Sequence, residues 1–198
     1  MSAELWIAFV GFAFVAAVTP GPNNMLLMAS GLNVGILRTL PFVAGINVGF
    51  AVLIAAVGLG LGTLFSAVPE VQTVMRLVGA AWLCWLAYKI ATAPVVRTDG
   101  GAAPVLGFLD GATFQAVNPK AWVTAVSAVA VYAPAGSGPW IVPVIVGTFW
   151  LVGIPSNLAW VAGGRLLRGL LESPRRMRVF NVAMALLLVA SIVPVIWT

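Results

Sequence analysis

The chain has 198 residues, 62% hydrophobic and 8% charged, with a mean hydropathy of +1.08. A soluble domain carries about a quarter charged residues, so this composition excludes an ordinary water-soluble fold and indicates one all-α polytopic membrane domain over residues 1–198. The net charge of +5 comes with no histidine and a single cysteine, Cys84, which removes the commonest metal ligand and general base and any disulfide within the chain.

Apolar runs between polar or Pro/Gly breaks mark six transmembrane spans, at about 5–31, 39–66, 71–93, 106–133, 139–163 and 177–197. Before span one stands Glu4, and the first basic residue is Arg38. A cleaved signal would need a positive n-region, so this span is expected to be retained. It is interrupted by "AVTPGPNN" at 17–24, where two prolines and a glycine break the helix and Asn23 and Asn24 add polar groups. Span two carries Asn47 in "GINVGF". After span three comes a Gly/Pro-rich linker over 94–105, which divides the chain into repeat one (1–93) and repeat two (106–198). Span four is interrupted by "AVNPKAW" at 116–122, span five carries Ser156 and Asn157 in "GIPSNLAW", and a basic connector covers 164–178.

Positive charge sets the orientation. Arg38, Lys89, Arg97, Arg165, Arg168, Arg175, Arg176 and Arg178 flank the connectors after spans one, three and five, against Arg76 alone on the other side. Those connectors are expected in the cytoplasm and both termini outside. The cluster at 165–178 reads as an orientation signal against anionic headgroups, not as a nucleic-acid site.

Three spans on each side of the linker enter the membrane in opposite directions, the condition for two inverted three-helix repeats. Ala17-Val18-Thr19-Pro20 and Ala116-Val117-Asn118-Pro119 match at an offset of 99 residues, each in the first span of its half. Pro20 lies about 22 Å into span one and Pro119 about 20 Å into span four, so both breaks fall near the middle of a core about 30 Å thick. Thr19-Pro20 and Asn118-Pro119 each read as an N-cap followed by proline at the first helical position. Two new half-helices would then present free N–H groups near the midplane, a site for an anion such as a substrate carboxylate.

Lys120 adds a charge at that depth, where lysine is costly and usually functional. It either attracts a carboxylate or pairs with an acid, but Asp110 is ten residues away on the same span, about 15 Å of helix. The candidate transport residues are Thr19, Pro20, Gly21, Pro22, Asn23 and Asn24 at the first break, and Gln115, Asn118, Pro119 and Lys120 at the second. Asn47 and Asn157, in corresponding spans, join them; their alternative is ordinary helix–helix hydrogen bonding. Asp110 is the one candidate for proton coupling.

"TPGPNN" with Gly31, Gly35, Gly45 and Gly49, "LVGAAWLCWLAYKIATAP" at 77–94, and Phe108, Gly111 and "NPKAW" at 118–122 together resemble the LysE/RhtB family of amino-acid exporters over nearly the whole chain. The third-span stretch is most similar to the branch exporting cysteine and O-acetylserine. The resemblance implies a secondary carrier in the bacterial inner membrane that moves small amino acids or derivatives outward, driven by the proton gradient. Its partners would be a small amino acid, H+ as coupling ion, the lipid bilayer and, in a homo-oligomer, further copies of the chain. It implies no cofactor and no nucleic acid. Some family members that export cationic amino acids carry an acid in span two, whereas this chain has none between Glu4 and Glu70, which favours a neutral substrate such as cysteine, O-acetylserine, homoserine or threonine. An intramembrane enzyme would need a base or nucleophile beside the break, and a metal exporter would need His, Cys or clustered carboxylates. A purely structural role leaves the mid-membrane lysine unexplained.

Overall fold

The computed structural model describes residues 2–61, 67–92, 105–133, 138, 140–167, 169 and 173–190. Eight α-helices account for them: α1 (Ala3–Val18), α2 (Pro22–Val34), α3 (Ile36–Ala56), α4 (Pro69–Ala91), α5 (Phe108–Val117), α6 (Pro119–Tyr132), α7 (Ile141–Leu167) and α8 (Pro174–Ala190). Spans one and four of the sequence reading are each a pair of helices, α1–α2 and α5–α6. A π-helical turn, Val57–Leu61, extends α3. Where both can be compared, these helices begin and end within a few residues of the expected limits, while the expected ends of spans two and six, at 66 and 197, lie outside the described residues.

Among the described residues two helices, Ile36–Gly60 and Ile141–Leu167, are long and apolar enough to cross a bilayer, and the pair Ala3–Val18 with Pro22–Val34, bent by 52°, is a third where the pair is counted as one span. α4 is one helix of 23 residues, with an apolar stretch at Leu77–Ala91. Of the linker over 94–105, only residue 105 is described, and Arg97, Arg168 and the Arg76 side chain lie outside the described part.

Local chemistry sets the ends of these helices. Ser2 caps α1, its hydroxyl accepting from the Leu5 N–H. Between α2 and α3 a single residue turns the chain: Gly35, at φ +85°, a conformation that costs glycine nothing and other residues strain. The molecule therefore has two ends. At one, α2 lies on the last third of α7 and α5 on the first half of α3, with Gly31 against Val161 and Gly45 against Phe108. At the other, α1 and α6 pack on the remaining halves of α7 and α3. There the Tyr132 hydroxyl donates to the Ala8 carbonyl, and the Phe9 and Phe149 rings meet edge to face at 5.7 Å. The two broken helices thus run in opposite directions, each contributing one half to each end.

Each end has its own apolar core. Leu26, Leu27, Phe42, Ile46, Phe114 and Val161 belong to the first, and Phe9, Leu53, Ile54, Ala125, Ile145 and Phe149 to the second. The outer surface is apolar too, with Leu37 81% and Leu59 89% exposed, while Asn24, Gln115, Asn118 and Asn157 are buried. Apolar outside with amides inside suits a chain whose solvent is lipid.

Candidate functional site

The two breaks meet. Lys120 Nζ donates to the Thr19 carbonyl at 2.7 Å, and Asn23 and Gln115 exchange a reciprocal pair of amide hydrogen bonds, each 3.1 Å. Asn118 Nδ2 also reaches Asn23 Oδ1, at 3.4 Å. Residues 92 to 101 positions apart in the chain are thereby joined.

The second break has the form its sequence dictates. Asn118 is the N-cap of α6, its Oδ1 accepting from the Lys120 N–H at 3.1 Å, with Pro119 at the first helical position. The first break differs from expectation, because Thr19 is not a helix N-cap. It closes α1, its N–H and hydroxyl both donating to the Val15 carbonyl, and α2 starts at Gly21-Pro22. The second proline is the cause. The residue before a proline is pushed out of the helical region, so Pro22 holds Gly21 extended at φ −170°, ψ 179°, and no helix can begin at Pro20.

This correction changes the electrostatics. α6 has a side-chain cap of its own, whereas α2 has none, so only α2 offers its N–H groups without a side-chain partner. Lys120, for its part, is engaged: its ammonium caps the carbonyl end of α1, where the helix dipole is negative. Gly21 leaves room for it, since a Cβ there would lie 3.0 Å from Lys120 Cδ. Asn24 sews the break from within α2, donating to both the Ala17 and Thr19 carbonyls at 3.0 Å. Ser156 of α7 donates to the same Ala17 carbonyl at 3.0 Å. The Ala17 and Thr19 carbonyls at the kink are thus satisfied by protein, as a nonpolar surrounding demands.

Beside the breaks lies a cavity of about 90 Å³. Gly21, Asn23, Asn24, Asn47, Gln115, Asn118, Lys120 and Asn157 line it, together with Ala16, Ala17, Ala121 and Thr124. Thr19, Pro20, Pro22 and Pro119 shape the breaks without lining the cavity, Thr19 and Pro20 being exposed. Asp110 stands apart at the start of α5, where its carboxylate accepts from the Gly107 N–H at 2.7 Å and caps the helix. Lys120 is the one charged side chain on the cavity wall among the described residues.

Sequence reasoning missed the opposite wall: Ile46 and Phe50 of α3 and Phe149, Trp150 and Gly153 of α7. The spacings 46/47/50 and 149/150/153/157 each place a polar residue on one helical face with apolar ones, which was the available signal. Trp150 is fixed there by its indole N–H, which donates to the Asn47 carbonyl at 3.1 Å.

Comparison with known proteins gives a consistent picture. The family model described as "LysE type translocator" matches residues 14–192. The cysteine/O-acetylserine efflux proteins of Escherichia coli K12 and Shigella sonnei are each 31% identical to this chain over 194 residues, covering 96% of both chains. That of Escherichia coli O1:K1 is 30% identical over the same length. No solved structure matches the chain.

Proposed function

Because the chain belongs to the LysE-type translocator family, we propose that it is a secondary carrier of the bacterial inner membrane that exports small neutral amino acids or derivatives, cysteine and O-acetylserine among them. The observation that carries this reading is the cavity at the meeting of the two breaks, with the uncapped start of α2 and the ammonium of Lys120 on one wall. A carboxylate there completes the cap that α2 lacks and accepts from Lys120. The amides of Asn23, Gln115 and Asn118 hold the two halves in register around it. A cationic side chain would find no acid on the cavity wall among the described residues, which favours a neutral substrate. The efflux relatives support the direction of transport.

The architecture belongs to the same reading: two inverted three-helix repeats, with both termini outside. The opposed course of α1–α2 and α5–α6 supports the inversion, and the eight-to-one division of Lys and Arg supports the orientation.

Lys120→Ala is expected to abolish export of cysteine and O-acetylserine from cells fed dipeptides while the protein stays in the membrane. Export that survives the change removes Lys120 from the site. Coupling to protons falls to Asp110 in this reading. Asp110→Asn keeps an acceptor for the Gly107 N–H and removes the carboxylate. Uptake into inverted vesicles driven by a pH gradient should fall at least tenfold, while exchange of labelled for unlabelled substrate persists. Unchanged gradient-driven uptake assigns coupling elsewhere.

A further inference from the structure

The amides of the break wall are committed to one another and to the freed backbone: Asn23 to Gln115, Asn24 to the α1 carbonyls, Asn118 to the Lys120 N–H. Asn47, on the opposite wall, is placed differently. Its Nδ2 donates to the Val43 carbonyl one turn back in α3, at 2.7 Å. That bond turns Oδ1 away from its own helix, and a Cβ built on Gly153 of α7 would lie 3.7 Å from it. Oδ1 accepts no hydrogen bond from any described residue. Around it stand Ile46, Phe50, Phe149 and Trp150, all on the cavity wall. Asn47 Oδ1 is therefore an uncommitted acceptor beside these rings, facing the bare backbone of Gly153, with the Asn157 amide one turn further along α7 also on the cavity wall.

We propose that Asn47 and Gly153 form the side-chain end of the site and favour amino acids whose short neutral side chain ends in a hydrogen-bond donor, so that cysteine is carried better than O-acetylserine. The proposal rests on the efflux reading, with the carboxylate at the break wall. A hydroxyl or thiol two bonds from Cα donates to Asn47 Oδ1, while its methylene lies against the rings. A charged side chain would be desolvated there without a counterion. A longer side chain without a donor, such as that of O-acetylserine, gains nothing from Asn47 Oδ1 and is carried less well. Gly153 controls access to the acceptor. A methyl at that position clashes with nothing, since 3.7 Å is ordinary contact, yet it occupies the space a donor must enter.

The test uses the purified full chain in proteoliposomes, with labelled L-serine, L-alanine and glycine as probes. Serine and alanine differ only by the hydroxyl, so wild-type protein should carry serine about tenfold better than alanine at low concentration. Asn47→Leu should bring that ratio toward one through loss of serine flux, and Asn47→Ser, which keeps an acceptor, should retain part of the preference. Gly153→Ala, which favours the helix, should lower serine flux at least fivefold more than glycine flux. A wild-type ratio of one, or an Asn47→Leu protein that loses serine and alanine flux equally, overturns the side-chain assignment and leaves the efflux reading standing. Wild-type vesicles that carry no amino acid overturn both. Should Asn47→Leu fail to reach the membrane, Asn47→Ser and Gly153→Ala decide the question, and an unchanged glycine-to-serine ratio in the latter overturns the proposal.

Discussion

The two ends of the molecule are closed by different means. At the α2/α5 end, helices touch backbone to backbone. A Cβ on Gly31 would fall on the Val161 carbonyl, one on Gly45 on the Phe108 carbonyl, and one on Gly164 on that of Met28. At the α1/α6 end, Gly11 and Gly147 face open space, and closure is by rings. Phe149 meets Phe9, Phe12 and Phe50 edge-on at 5.7, 6.4 and 5.1 Å, and Phe9 lies 4.6 Å from Tyr132. Lipid supplies little hydrophobic drive between helices, so close backbone approach through small residues is the stronger glue. Rings, by contrast, can leave one rotamer for another. The cavity borrows Phe50 and Phe149 from the ring-closed end, so a change at one end should break the fold and a change at the other should alter access to the site.

The largest effect is expected at the glycine contacts. Gly164→Ala drives a methyl into the Met28 carbonyl and toward the Leu32 N–H, and backbone cannot step aside as a side chain can. A cost of about 3 kcal/mol should appear as a lowered melting temperature in detergent. Gly147→Ala, on the same helix but facing open space, should melt as wild type or slightly higher, by about 0.5 kcal/mol of helix propensity. Equal melting of the two variants would erase the contrast between the ends.

Phe149→Ala comes next. It removes a ring that is 5% exposed and touches three others. The lost packing should cost about 2 kcal/mol, less than in a water-soluble core because lipid refills part of what water would not. Its sharper consequence is access. A cysteine at Ala121 on the cavity wall, in a Cys84→Ser background, should react faster with a membrane-impermeant maleimide when Phe149 is alanine. No change in labelling rate would mean that the rings do not cover the cavity.

How much of this was legible depends on whether the signal is local. Asn118-Pro119 is a local device, and its cap formed as the residues require. Thr19-Pro20-Gly21-Pro22 is local too, but the first proline was read without the second, which moves the helix start by two residues. Asp110 lacks the usual Ser or Thr three residues before it, so its capping bond to Gly107 went unread. The partner of Lys120 could not be read at all. It is a main-chain carbonyl 101 positions away, and a carbonyl carries no residue identity. Phe149, Trp150 and Gly153 are hard to read for another reason: a lipid-facing helix is apolar on every side, so hydrophobicity does not distinguish the face that lines a cavity, and only their spacing from Asn157 marks it.

The smallest single loss of stability is expected between the two ends, at the break itself. Asn24→Ala removes two hydrogen bonds, to the Ala17 and Thr19 carbonyls, yet each carbonyl keeps another donor, Ser156 and Lys120 respectively. The net cost should be about 1 kcal/mol. Lys120→Ala alone likewise leaves the Thr19 carbonyl with Asn24. Only the double variant strips that carbonyl of both donors at membrane depth, where an unsatisfied group is expensive. A double-mutant cycle on melting should therefore show coupling of about 1–2 kcal/mol beyond the sum of the singles. An additive cycle would mean that water reaches the Thr19 carbonyl once its protein donors are gone. The break would then be wet, and Lys120 would be free to leave α1 for a substrate carboxylate at little cost to the fold.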